Sequence, residues 1–293
     1  MQLFFYNNKD YLVYNSVRPD LRRKTDRTEA TKHFIDLEIY ENQQTNLHLP
    51  LQLSDAIKMY PLDSLKKYGY VPYYIIIMMR HLENAFHIKN KDSILFYAAD
   101  IGHYIADANV PLHTTINYDG QLTKQKGLHA LWESTLPALG LKDFDLFSNH
   151  TATFLSHPEK NIWDNVRQAH ADLNFIIQTE QTVSTNFTPE TKYRVTKRKG
   201  KEYKTYSTNF AKAYLEKIKP NIVTRMQASI NLTADIWFTC WVNAGKPNLV
   251  PLLNEPQQKL EQKLAEDLQY FNNNELIKKN RLQALSKNKI KET

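Results

Sequence analysis

The stretch from His103 to Glu133 constrains this chain more than any other. It carries His103, Asp107, His113, His129 and Glu133 in the spacing H-x3-D-x5-H-x15-H-x3-E. Ile94, Leu95, Ala98, Ile101 and Ile105 recur at helical intervals and predict a helix over Asp92–Ala108. His103 and Asp107 then share one face, their side-chain origins ~6 Å apart. Pro111 ends that helix and lets the chain turn back, with His113 on the connection. A second predicted helix over Lys126–Leu136 puts His129 and Glu133 in the same four-residue relation. One such pair is usually a surface ion pair or a cap. Two pairs with a histidine between them, flanked by apolar residues that turn polar groups inward, need a shared partner. Imidazole and carboxylate donors without thiolate favour a catalytic zinc site over a structural one.

Around this core the pattern is helical. Residues 1–17 read as an amphipathic helix ended by Pro19, and Arg18–Arg27 as a charged loop. The local structure of His33–Tyr40 is left open. Leu51–Lys67, Val71–His87 and Ile162–Gln181 read as helices, and Asn209–Ala244 as two helices parted near Pro220. Gly245 and Pro247 supply a helix stop. The segment Lys192–Ser207 alternates and turns at Lys199 and Gly200, so we expect a small β-hairpin inserted between helices, too polar to be core. The expected fold class is thus all-α, a multi-helix domain with one hairpin. Residues 1–253 form the domain. Residues 254–293 are a charged tail, with Leu260, Leu264 and Leu268 marking a peripheral helix that frays into disorder.

Composition narrows the classes. A net charge of +7 suits an anionic substrate, although many lysines lie in the hairpin and tail. The single cysteine, Cys240, excludes an intrachain disulfide and, among Trp237, Phe238 and Trp241, reads as a buried apolar group. No run reaches the ~18 apolar residues of a membrane span. The opening MQLFFYNNKDYLVYN lacks a signal peptide's basic start and cleavage site. It reads as the side of a helix begun inside a domain, which leads us to expect residues upstream. His81 and His87, beside Arg80 and Lys89, read as surface histidines, as do His48, His150, His157 and His170.

The five-residue pattern resembles that of the zinc-dependent phospholipase C and single-strand-specific nuclease superfamily. A His-aromatic-x-Asp segment in that family looks like HFID here, giving His33, and an upstream aspartate looks like Asp20 in RPDLRR. The resemblance spans roughly Met1 to Leu253 and implies a mainly helical protein with clustered zinc. Carried over by position, one zinc takes Asp20, His33, His103 and Asp107, and a second takes His113, His129 and Glu133. The family's third zinc uses the amino group of an N-terminal tryptophan and a nearby histidine. This chain has neither before Asp20, so two zincs are expected and the third site is incomplete.

The implied activity is phosphodiester hydrolysis by zinc-bound hydroxide, with Asp20 as ligand and as the base that orients the water. The implied substrate is a phospholipid or single-stranded nucleic acid. Glu133 and the short gap before His129 lean toward the phospholipase branch, and the basic charge toward the nuclease branch. Export or a periplasmic location follows from the resemblance alone. Arg22 and Arg23 flank Asp20 and read either as phosphate contacts or as structural partners of Glu29 or Asp36. Phe34 and Tyr118 could stack on a base or face a lipid chain. The competing class is a catalytically silent, metal-stabilised binding or surface-associated protein, motivated by the missing N-terminal ligands.

Overall fold

The structure is a computed structural model that describes residues 1–41, 48–198 and 201–281. Its order is α1 (Gln2–Asn7), α2 (Lys9–Asn15), α3 (Arg18–Arg22), α4 (Leu53–Met59), α5 (Leu62–Lys67), α6 (Val71–His87), α7 (Lys91–Ala108), α8 (Leu136–Gly140), α9 (Pro158–Ala171), α10 (Leu173–Ser184), α11 (Pro189–Lys192), β1 (Tyr193–Arg198), β2 (Lys201–Tyr206), α12 (Thr208–Asn243) and α13 (Gln257–Asn272). The expected helical class with one small hairpin is what this order describes. β1 and β2 pair antiparallel, Tyr193 opposite Tyr206 and Arg198 opposite Lys201. The turn expected at Lys199 and Gly200 lies outside the described residues, as does the frayed end after 281.

Two apolar clusters are built along α12. The first gathers Ile75, Met78 and Leu82 of α6, Ile94, Ile101 and Ile105 of α7, Trp163 of α9, and Leu232, Ile236 and Cys240 of α12. The second joins Leu112, Leu131 and Leu136 to Ile176 of α10 and to Phe210, Tyr214, Ile218 and Ile222 of α12. Pro220 therefore does not divide this helix, contrary to the expectation of two. Its missing N–H and its clash with the preceding turn cost about 3 kcal/mol. Ile218 and Ile222 on either side are fully buried, and each such burial contributes about 1.5–3 kcal/mol. Burial outweighs the proline, and one 36-residue helix runs past both clusters.

Other expected helices are cut. Leu51–Lys67 breaks at Pro61, which holds Tyr60 extended at φ −134°, ψ 137°. The stretch over 1–17 breaks at Asn8, whose side chain donates to the Phe4 carbonyl at 2.7 Å. Ile162–Gln181 breaks at Asp172, which accepts from Asn221 of α12 at 2.8 Å and lies 3.2 Å from Arg225. Arg18–Arg27 is not simply a loop. Pro19 opens α3 rather than closing the helix before it, since the first helical turn needs no N–H from it. The tail helix α13 buries Leu260, and Asp267 accepts from Tyr6 and Lys9 of the N-terminal helices. Cys240 is buried as expected, with burial pushing its thiol well up.

Candidate metal centre

His103 and Asp107 project from the last two turns of α7, which Asn90 caps by accepting from the Ser93 N–H at 2.9 Å. His113 lies on a short 3-10 turn over Pro111–Thr114. His170 of α9, read from sequence as a surface histidine, braces this turn. Its Nδ1 lies 3.0 Å from the Thr114 carbonyl and 3.0 Å from the Thr114 hydroxyl. The expected Lys126–Leu136 helix is present from Leu128 and runs on into α8, but it widens to a π-helix over Ala130–Thr135, with His129 just before the widening. Pro137 explains it: it has no N–H for the Glu133 carbonyl, and its ring crowds that carbonyl.

His33 enters from a separate segment. The Ile35 N–H donates to the His113 carbonyl at 2.9 Å, and the Asp36 N–H to the Tyr68 carbonyl at 2.8 Å. Gly69 closes this strap at φ +81°, where a Cβ would sit 2.2 Å from the Phe34 carbonyl oxygen. No other residue fits there. Asp20 comes from the first turn of α3.

The side chains converge in two groups. Donor atoms of Asp20, His33 and His103 all lie within 4.8 Å of one another, and so do those of His113, His129 and Glu133. In the first group His33 Nδ1 is 3.2 Å from His103 Nε2. In the second, His113 Nε2 is 2.9 Å from His129 Nε2 and 3.6 Å from Glu133 Oε2, and His129 Nε2 is 2.5 Å from that oxygen. Four donors at ~2.0–2.1 Å around a tetrahedral cation stand about 3.3 Å apart, and these separations scatter around that value.

Asp107 joins the first group and stands between it and the second. Its Oδ2 is 2.7 Å from His33 Nδ1 and 3.2 Å from His103 Nε2, while its Oδ1 is 3.5 Å from His113 Nδ1. The buried His33 Nε2 and His113 Nδ1 have no hydrogen-bond partner. The donor set fits a divalent cation in each group, the spacing of His33 to His103 and of His113, His129 and Glu133 being of the right order.

Electrostatics agree with that fit. Burial pushes the Asp107 carboxyl up, but the His103 and His113 imidazoles outweigh it and hold it well below the carboxylate range. Burial likewise raises Glu133, and His113 and His129 bring it well down. Burial lowers His103, yet Asp107 lifts it to about 9. His113 is raised against its burial by Asp107 and Glu133. In the cation-free protein, a proton on His103 balances the Asp107 carboxylate, and a bound cation would take over that charge.

The cluster opens into a cleft of about 710 Å³ lined by Asp20, Arg23, Lys24, His129 and Glu133 among others. Beside it is a smaller hollow of about 390 Å³ with Phe34, Leu112, Ile116 and Tyr118 on its wall. Arg23, loosely paired with Asp20 at 3.4 Å, lines both. Arg22 turns the other way. Its guanidinium meets Asp100 at 2.7 Å, Glu29 at 3.3 Å and the Tyr104 hydroxyl at 2.9 Å. Arg18 clamps the other oxygen of Asp100 at 2.6 Å. Sequence reasoning named Glu29 as one structural partner of Arg22 and missed Asp100. The signal existed: Asp100 shares the α7 stripe with His103, Tyr104 and Asp107, and a carboxylate on a buried stripe requires partners.

The remaining histidines stay out of the cluster. His81 is exposed and stacks on Tyr97, His87 is exposed, His48 meets Glu41 at 3.3 Å and His150 meets Asp235 at 2.9 Å. No protein family's sequence profile matches the chain, and neither curated proteins nor solved structures yield a match.

Proposed function

We propose that this chain is a zinc-dependent phosphodiester hydrolase of the phospholipase C and single-strand nuclease type. The observation that carries the reading is the convergence of two imidazole–carboxylate groups about Asp107, at the floor of a cleft lined by Arg23 and Lys24. One zinc would be held by Asp20, His33 and His103 with Asp107, and a second by His113, His129 and Glu133. When bound, zinc supplies a Lewis acid for the phosphoryl oxygens and lowers the pKa of water to near neutrality.

The chain's own residues do the rest. Arg23 and Lys24 neutralise and orient the phosphate at the mouth of the cleft. Asp20 is exposed toward that mouth and accepts the proton of the attacking water. The half-buried Phe34 and the exposed Tyr118 flank the smaller hollow and pack on the group attached to the phosphate, a base or an acyl chain. Among the described residues no helix is long and apolar enough to cross a membrane.

The test compares histidines. His129→Ala removes one of three ligands from the more open group and is expected to abolish phosphodiester hydrolysis while circular dichroism stays unchanged. His81→Ala and His87→Ala are expected to leave turnover within about threefold, since surface substitutions of this kind perturb little. Near-normal activity of His129→Ala overturns the reading and favours a silent binding protein.

A further inference from the structure

Resting on the zinc reading, we propose that Glu29 is the positioning carboxylate of His33. It accepts the Nε2–H of this imidazole and so fixes the tautomer that presents Nδ1 to the metal.

His33 turns Nδ1 into the cluster, 2.7 Å from Asp107 Oδ2 and 3.2 Å from His103 Nε2. If the Nδ1 lone pair goes to a cation, the neutral ring carries its proton on Nε2. That nitrogen is buried without a hydrogen-bond partner, on a residue only 3% exposed. An N–H there requires an acceptor. The acceptor facing it is Glu29 Oε1, at 3.6 Å, on a side chain 1% exposed.

A separation of 3.6 Å is beyond hydrogen-bond reach, and its cause is on the other side of the ring. In the cation-free protein His33 is drawn directly onto Asp107, at 2.7 Å. Donors sharing a tetrahedral zinc stand about 3.3 Å apart. A cation held between them would open that contact, and the carboxylate oxygen behind the ring is Glu29 Oε1.

Glu29 cannot swing away to meet or avoid the ring. Lys32 donates to its Oε2 at 2.7 Å, and Arg22 and the Tyr104 hydroxyl donate to its Oε1. These donors hold the carboxyl below its ordinary range against its burial. Arg22 also grips Asp100 of α7 and belongs to α3, which carries Asp20. One buried charge network therefore seats both ligands that come from outside the His103–Glu133 stretch. A carboxylate behind a ligating histidine fixes its orientation and raises its basicity, and losing it costs about 10–100-fold in metal affinity.

The experiment titrates zinc against a chromophoric chelator in wild type, Glu29→Gln and Glu41→Gln, with thermal melts of each. Glu29→Gln is expected to weaken one zinc 10–100-fold and leave the other unchanged. Glu41→Gln, which loses its pair with Arg167 away from the cluster, lowers the melting temperature but leaves both affinities within about threefold, a split that a purely structural role does not produce. Equal affinities in wild type and Glu29→Gln overturn the inference alone. A wild type that binds no zinc overturns the metal reading and this inference with it. If Glu29→Gln does not fold, long-range proton–nitrogen NMR of wild-type His33 decides. Metal-bound Nδ1 with a slowly exchanging Nε2–H supports the assignment, and the opposite tautomer overturns it.

Discussion

Replacing Asp107 by asparagine removes one negative charge and keeps the shape of the side chain. That charge lies 2.7 Å from His33 and 3.5 Å from His113, so with zinc bound as proposed it would face both groups. Two unit charges about 4 Å apart interact by about 4 kcal/mol at an effective dielectric near 20, and the charge on zinc is double. We therefore expect at least about 4 kcal/mol of binding energy to go, which is roughly a thousandfold in affinity. The cation-free protein suffers too. Asp107 there faces the raised imidazoles His103 and His113, and breaking a buried pair by removing one partner costs about 3–5 kcal/mol. At about 2–4 °C per kcal/mol for a chain of this size, the melting temperature should fall by roughly 6–20 °C. The assay is a zinc competition titration, in which wild type takes up two zincs, followed by thermal melts with chelator. The loss should exceed that of Glu29→Gln, which acts on the first group alone. Asp107→Asn retaining wild-type affinity within a few fold would refute the placement of Asp107 between the two groups.

Other consequences concern the frame around the site. Gly69→Ala forces an L side chain to φ +81° and into the Phe34 carbonyl. Urea unfolding should show a loss of roughly 2–4 kcal/mol, and zinc titration a weakened His33 site, because the strap moves. Glu41 accepts from Arg167 at 2.7 Å and 3.2 Å, and its carboxyl, raised by burial, is brought below its ordinary 4.5 chiefly by that arginine. A depressed carboxyl contributes stability that is present above the unfolded value and lost as pH falls through the folded one. Glu41→Gln should thus cost about 1–2 kcal/mol at pH 7, the gap to wild type closing below about pH 4.5 in urea titrations run at several pH values.

The elements that sequence located best are α6 and α7, where long apolar periodicity leaves one reading. It placed their ends within a residue; Pro72 sits in the first turn of α6, Asn90 caps α7 and Pro111 follows its end. One break elsewhere depends on partners far along the chain. Asp172 interrupts a helical pattern because Asn221 and Arg225 of α12 engage its carboxylate, and nothing near Asp172 announces them. Pro220 misled for the converse reason: distant burial of Ile218 and Ile222 overrides a local breaker. The four-residue spacing of His129 and Glu133 gave the right neighbours on the wrong geometry, since Pro137, four residues after Glu133, widens the turn. His33 and Asp20 were reachable only through the family resemblance, because they lie outside regular periodic segments. Glu29 was read only as an arginine partner, and its approach to His33 four residues on follows from α3 and α7 closing around it.

The central claim is that the chain hydrolyses phosphodiesters with zinc, and one side-by-side assay addresses it most directly. Purified protein, stripped with chelator and then reloaded, is given single-stranded DNA and phosphatidylcholine vesicles in parallel. The account expects hydrolysis of at least one substrate that disappears on stripping and returns with zinc. Folded, zinc-loaded protein that cleaves neither substrate, or cleavage that persists undiminished after the metal is removed, would contradict it.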